Sequence, residues 1–314
     1  MKTAGDGARS TLGATVFSRS VSCGIGHAPR VRGYLLGAGG RIVAEMIELN
    51  DGKRWRLGCV SYLNAKPMVW GLDQAPAIEM KYGVPAGLLG LLQADGCDVA
   101  LLPAIDYQRD RDLVMVPASC IGADGPVQTV RLFSRVPVNQ VTRLYADVES
   151  HTSVALCRVV LRGVYGIDPE FVQDQSADVQ ARLLIGDKVV CQVPVGHSYQ
   201  LDLADEWKRW TGLPFVFAVW MAKRGTRLGE LPQMLMRAME QGLLHVDEIV
   251  AADAVPRGWP AAVAQEYLTR LLKYSLDLSD NSPQRRALDR FYRLAFELGV
   301  TKQCRPIEVY GDLG

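Results

Sequence analysis

Two rhythms alternate along the chain: short, continuous apolar runs of strand length, and longer stretches whose apolar positions recur at helical spacing. The first apolar run, residues 56–60, gives way to a polar turn in V-S-Y-L-N-A-K-P (residues 60–67). There Pro67 suits a first helical position and Asn64 suits a helix cap. Residues 77–82, 85–94 and 98–102 then read as strand, helix and strand, and D-V-A-L-L-P from Asp98 is a buried strand ending in proline. This order predicts parallel strands joined by right-handed crossovers. Two further extended stretches, 114–121 and 128–133, flank the turn-like G-A-D-G-P from Gly122. A second series follows, with a strand over 141–146, a helix from about Thr152 to Tyr165, and a strand over 182–185 that runs into Gly186 and Asp187.

Residues 215–221 (F-V-F-A-V-W-M) form a continuous apolar strand, and everything after them is expected to be helical. Met234, Leu235, Ala238, Met239, Gly242 and Leu243 recur at helical spacing, which makes this methionine stripe a core face. The last helix has Ser282 as its cap, Pro283 at its first position and Gly299 as its terminator. A late strand followed by helices returns the chain to its first domain. The expected architecture is therefore α/β with two lobes and a ligand cleft between them. Residues 46–127 form the first part of lobe 1, 128–213 form lobe 2, and 214–314 form the rest of lobe 1.

The first 45 residues break the pattern. Lys2, Arg9, Arg19, Arg30, Arg32 and Arg41 face only Asp6 and Glu45 in a Gly- and Ser-rich text, which reads as a disordered or over-extended tail with the domain starting at Met46. L-G-A-G-G-R-I from Leu36 lacks the third glycine of a dinucleotide loop, and residues 12–17 are too short for a secretory core. A cytoplasmic protein is expected, and no run approaches a transmembrane span. The formal net charge of +1 over 314 residues provides no global field for nucleic acid or an anionic membrane, so selectivity for an acidic ligand must be local. Seven scattered cysteines without a C-x-x-C pair, five of them in apolar text, predict free buried thiols rather than zinc or disulfides. Four dispersed histidines give no metal-ligand spacing.

Candidate chemistry lies at the strand-to-helix junctions, because exposed N–H groups and helix N-termini converge beyond strand ends in open α/β sheets. Asn64 sits at one such junction. Thr152 and Ser153 sit at another and offer two hydroxyls to an anion. From the residues alone, ordinary capping is the favoured reading of both patterns.

These segments together are familiar. G-C-V-S-Y-L-N-A-K-P from Gly58, D-V-A-L-L-P from Asp98, V-R-L-F-S-R from Val130, T-S-V-A-L-C-R-V-V-L from Thr152, L-L-I-G-D from Leu183 and T-G-L-P-F-V-F-A-V-W from Thr211 occur in the order found in the chorismate dehydratases of the futalosine route to menaquinone. The chain resembles that family from about residue 54 through its last helix. It departs at Ala104, where many relatives carry Ser, and in its N-terminal extension. The resemblance implies a two-lobed fold like that of periplasmic binding proteins of the second type. It also implies a hydro-lyase that takes chorismate to 3-[(1-carboxyvinyl)oxy]benzoate without metal or cofactor; separately, a monomer or weak homodimer is expected.

On that footing Thr152, Ser153 and Ser134 are expected to hold a substrate carboxylate. Asn64, in the opposite lobe, would orient the substrate or donate to the leaving hydroxyl, with Ser61 and Tyr62 beside it. Asp106 and Asp187 are candidate bases, though capping or turn roles suit both, and the substrate's own enolpyruvyl carboxylate is the expected base. His151 and His197 read as surface or turn residues. Lys66, Arg131, Arg135 and Arg158 read either as cleft cations or as solvated ones. A transporter's anion-binding protein, and the related naphthoate-forming enzyme with a cleft histidine, remain the alternatives.

Overall fold

A computed structural model of the chain describes residues 54–146, 150–192 and 194–311, and the N-terminal tail reading lies outside them. Two sheets organise the molecule. The first contains β1 (Trp55–Val60), β2 (Ile78–Gly83), β3 (Val99–Pro103) and β4 (Leu113–Ala123), with α1 (Pro85–Gln93) between β2 and β3. The second contains β5 (Val130–Ser134), β6 (Arg143–Ala146), β7 (Glu170–Val172), β8 (Ala181–Ile185) and β9 (Tyr199–Asp202), with α2 (His151–Gly163) after β6 and α3 (Asp187–Cys191) after β8. The chain then passes through α4 (Leu203–Thr211) and returns to the first sheet as β10 (Phe215–Lys223). It continues through α5 (Leu231–Leu244), α6 (Val246–Ile249) and α7 (Ala261–Glu266) to β11 (Leu272–Ser275), and ends on α8 (Pro283–Glu297).

The first sheet has the order β11-β4-β10-β3-β1-β2, with β1 parallel to β2 and β3 and with β10 inserted antiparallel between β3 and β4. The continuous apolar text of β10 follows from this central position, where both faces are covered. β11 overturns the expectation that only helices follow β10: it pairs antiparallel with β4. Its four residues bury Leu272 and Tyr274 and expose Lys273 and Ser275, an alternation too short to stand out beside helical text. The second sheet has the order β7-β6-β8-β5-β9, with β5 antiparallel to β8 and β9.

The turn after β1 also differs from expectation. Two 3-10 turns, Leu63–Ala65 and Pro67–Val69, replace the α-helix, and Asn64 caps nothing. Leu63, Ala65 and Met68 are buried and anchor the turn, while Asn64 between them remains partly exposed. A helix face also backs the turn. A Cβ on Gly242 of α5 would collide with the backbone of Pro67, so only glycine lets α5 approach this closely. The methionine stripe of α5 is core, with Met234, Leu235, Ala238 and Met239 buried. In α8, Ser282 Oγ accepts from the Arg285 N–H, and Gly299 beyond the helix has φ +67°. Cys59, Cys97, Cys120 and Cys157 are buried free thiols whereas Cys191 and Cys304 are exposed, and burial pushes the Cys59, Cys120 and Cys157 thiols up to about 12.

The first crossing between the sheets, after β4, is tied to the helix that leads into the second. Asp202, the N-cap of α4, accepts from the Ala204 and Asp205 N–H groups of its own helix (3.1 and 3.2 Å) and from Val127 and Gln128 of the crossing (3.1 and 2.7 Å). Burial raises the Asp202 pKa, and hydrogen bonds from Gln128, Asp205 and Val127 with nearby Arg131 hold the rise back. Asp202→Ala leaves four N–H groups without their acceptor. It should lower stability by about 2–4 kcal/mol, read as a lower urea midpoint at unchanged slope.

Candidate functional site

A pocket of about 190 Å³ lies between the sheets. The first sheet contributes Val60 and the turn residues Tyr62 and Asn64, Leu101 and Pro103 from the end of β3, and Phe217 with Ala218 from β10. Phe217 and Ala218 are consecutive and would ordinarily face opposite sides of the sheet. A register shift between Val216 and Ala218 places a bulge there, so both line the pocket. From the second sheet come Thr129 and Val130 at the start of β5, Ser150 and Ser153 at the start of α2, and Ile185, Gly186, Asp187 and Lys188 at the end of β8. Tyr267 and Leu272 complete the wall from the late part of the chain.

The polar groups occupy separate corners. At the N-terminus of α2, Ser150 is the cap: its Oγ accepts from the Ser153 N–H (3.3 Å) and lies 2.8 Å from the Ser153 hydroxyl. Capping therefore belongs to Ser150 rather than to Thr152 or Ser153. No acidic side chain of α2 itself stands in its first turn, which suits an anion, although the Asp106 carboxylate of the other sheet is held by His151 at the same helix start. Lys188 adds a cationic side chain to the pocket wall.

Asn64, Thr129 and Tyr267 meet at another corner. The Thr129 hydroxyl lies 3.0 Å from the Tyr267 hydroxyl, and both side chains are buried. The Asn64 side chain also hydrogen-bonds Tyr267. That bond runs through the amide nitrogen, because the Asn64 Oδ1 is buried and has no partner among the described residues. Burial pushes the Tyr267 phenol up to about 12, against the hydrogen bonds from Thr129 and Asn64. Asp187 is held by Trp259 Nε1 (2.9 Å) and by Arg257 (3.5 Å).

Several expected site residues fall elsewhere. Ser134 is at the far end of β5 from the pocket, because β5 runs antiparallel to β8 and it is Val130 that meets Ile185. Its hydroxyl donates to the Val136 carbonyl at 2.7 Å in a local turn. Thr152 is fully buried and its Oγ1 accepts from the Ile105 N–H (3.2 Å), so this hydroxyl joins the two sheets and does not face the pocket. Ser61 is exposed, and its carbonyl accepts from Arg257 (2.9 Å). Asp106 is fully buried and pairs with His151 Nδ1 (2.8 Å) and Arg109 (2.9 Å), outside the pocket wall. His151, next to the Ser150 cap and partly exposed, is thus also a partner of Asp106.

Lys66 pairs with Asp253 (2.7 Å), Arg135 with Asp178 (2.6 Å), and Arg131 with Gln200 (3.1 Å), while Arg158 lies over the Phe171 ring. None of these four, and neither His151 nor His197, is among the described residues lining the pocket. Among the described residues no cluster of three or more His, Cys, Asp or Glu is arranged to hold a metal. No described helix is long and apolar enough to cross a membrane. The motifs had singled out Asn64, Tyr62 and Ser153 but not Thr129, Ser150, Lys188 or Tyr267. Ser150 could have been found from its spacing, since a serine three residues before another at a helix start is an ordinary cap. Tyr267 lies some 200 residues from Asn64 in helical text, and no local pattern points to it.

Comparison with known proteins follows this geometry. A family sequence model described as menaquinone biosynthesis matches residues 55–297. The chain is 28% identical over 247 residues to a chorismate dehydratase of Thermus thermophilus, covering 71% of this chain and 90% of that protein. Among solved structures it resembles an Archaeoglobus fulgidus protein at a TM-score of 0.60 and 18% identity, over 80% of this chain and 99% of that one. It also resembles the periplasmic aliphatic sulphonate binding protein of Escherichia coli at a TM-score of 0.57 and 16% identity, over 81% and 96%. These structural likenesses identify the two-lobed fold of the periplasmic binding proteins, and the match over most of its length means that the chain belongs to the menaquinone biosynthesis family.

Proposed function

We propose that this protein is a chorismate dehydratase, eliminating water from chorismate to give 3-[(1-carboxyvinyl)oxy]benzoate. The observation that carries the reading is the pocket itself: a small, mainly apolar chamber with an anion-compatible helix start at one corner and an amide at another, in a chain related to a chorismate dehydratase. Chorismate has the same layout, a hydrophobic ring bearing two carboxylates and one hydroxyl. Ser153, with Ser150 and the α2 N-terminus, binds one carboxylate, and Lys188 adds attraction for the other. Tyr62 packs against the ring, and Asn64 holds the substrate at the C4 hydroxyl.

The proton at C3 goes to the enolpyruvyl carboxylate of the substrate itself. Asp106 is buried in its pairs with His151 and Arg109, and Asp187, which does reach the pocket, is already bound by Trp259 and Arg257. Aromatisation supplies much of the driving force, so holding the reacting groups in place accounts for a large share of the rate.

Purified protein incubated with chorismate should yield the benzoate product, followed by absorbance and mass. Chorismate that binds and is returned unchanged would instead mark a solute-binding protein. The roles divide by kinetics. Asn64→Ala should lower kcat more than it weakens binding, whereas Ser153→Ala should raise the chorismate Kd by roughly tenfold or more, the worth of a hydrogen bond to a charged group. The reverse pattern would overturn this division. Asp187→Asn, and likewise Asp106→Asn, should retain turnover wherever the variant still binds chorismate. A variant that binds normally and is dead would put a protein base in place of the substrate carboxylate.

A further inference from the structure

The corner formed by Asn64, Thr129 and Tyr267 presents a pattern of hydrogen bonding that only certain ligand groups can complete. Two hydroxyls 3.0 Å apart share one hydrogen between them and leave the other unspent, and both Thr129 and Tyr267 line the pocket. The Asn64 side chain also hydrogen-bonds the phenol. The Asn64 carbonyl oxygen is buried with no partner among the described residues, and a ligand donor would satisfy it. The corner therefore offers one donor and one acceptor side by side. A carboxylate can accept but not donate. A hydroxyl does both: its hydrogen satisfies Asn64 Oδ1 while its lone pair receives the unspent hydrogen.

We propose that this corner seats the hydroxyl that is eliminated, and that Tyr267, bridged to Thr129, is the catalytic acid that protonates it as it leaves. The proposal rests on the dehydratase reading. It deepens that reading by naming the residue that solves its hardest step, since hydroxide expelled without a proton is a poor leaving group. The C3 proton passes to the enolpyruvyl carboxylate, and its bonding pair becomes the new ring π bond between C3 and C4. The C4–O bond breaks with its pair on oxygen, which keeps its own hydrogen, takes the phenol proton and departs as water. The phenolate then recovers a proton from the newly formed carboxylic acid, so the enzyme ends as it began.

The surroundings suit the task. Burial keeps the phenol protonated at neutral pH, so the proton to be given is in place. Tyr267 opens a π-helical turn over Tyr267–Leu271, a local geometry that re-aims side chains and recurs at functional sites. Its ring stacks on Trp259 at a centroid distance of 5.2 Å, and Trp259 in turn donates to Asp187 of the other sheet's pocket wall. The hydroxyl is thus fixed from both sides of the cleft.

The experiment compares wild type, Tyr267→Phe and Thr129→Val on chorismate and on an analogue carrying fluorine in place of the C4 hydroxyl, with chorismate Kd measured separately. Fluoride leaves unprotonated at neutral pH and needs no acid. Tyr267→Phe keeps the ring stacked on Trp259 and should lower kcat on chorismate by about 10²- to 10⁴-fold, the usual worth of a positioned acid, with Kd changed less than tenfold. On the fluoro analogue the variant should run within about threefold of wild type. Thr129→Val, which removes the bridge but leaves the phenol, should show the same selective loss to a smaller degree, and it carries the comparison if Tyr267→Phe does not fold. Equal losses on both substrates, or undiminished turnover of chorismate, overturn the proposal while leaving the dehydratase reading intact. Wild-type protein that binds chorismate without converting it overturns both.

Discussion

The cleft depends on a single carboxylate at the place where the two sheets are joined. A chain that leaves one sheet and later returns to it creates two crossings, and the angle between the lobes is set by whatever holds those crossings together. Asp202 does this by accepting four backbone N–H groups, two from the first crossing and two from the helix that leads into the second. Lys208 of that same helix pairs with Asp124 of the crossing at 2.6 Å. The folded state bears the cost of a largely buried carboxylate for this. Four otherwise orphaned donors on two separate segments find one acceptor, so neither segment can move without uncovering the other's polar groups.

From that joint outward, the lobes meet through bonds that flank the pocket. On one side Thr152 accepts from the Ile105 N–H and His151 pairs with Asp106, which binds α2 of the second sheet to the turn after β3 of the first. On the other side Trp259 and Arg257 grip Asp187, and Arg257 also holds the Ser61 carbonyl beside Asn64. Polar side chains that a motif reading assigns to ligand thus serve two kinds of task. Those facing sideways join the lobes, and those facing inward remain for the substrate. The apolar walls between, including the bulged Phe217, exclude water and strengthen each remaining polar contact.

The two-lobed α/β fold was legible because strand and helix rhythms differ and because β3 and β10 are continuous apolar runs of strand length. The caps of α8 were legible too, since Ser282, Pro283 and Gly299 each act through their own local chemistry. What escaped depends on distance or direction. β11 is a four-residue alternation whose meaning comes only from its partner β4, some 150 residues earlier. Ser134 and Thr152 sit in the right segments, but whether a hydroxyl turns toward the cleft or toward its own turn is decided by strand polarity and by the Ile105 backbone, neither of which a motif records. Asn64 was found for its place after β1, although the turn is 3-10 rather than α-helical and its free group is an acceptor. Tyr267 had no local signature, because its significance exists only where it meets Asn64 and Thr129.

The position of β10 has a consequence for how the molecule is made. It is the strand between β3 and β4, yet it is synthesised after the whole of the second sheet. A nascent chain can complete the second sheet from a contiguous stretch, 130–202, while β4 waits for its neighbour. The first sheet closes only when residues 215–223 emerge, through contacts that span about a hundred positions, and such non-local pairing is slow. The ligand chamber, which takes its wall from β10 and the later Tyr267, is therefore complete only after both lobes have been synthesised.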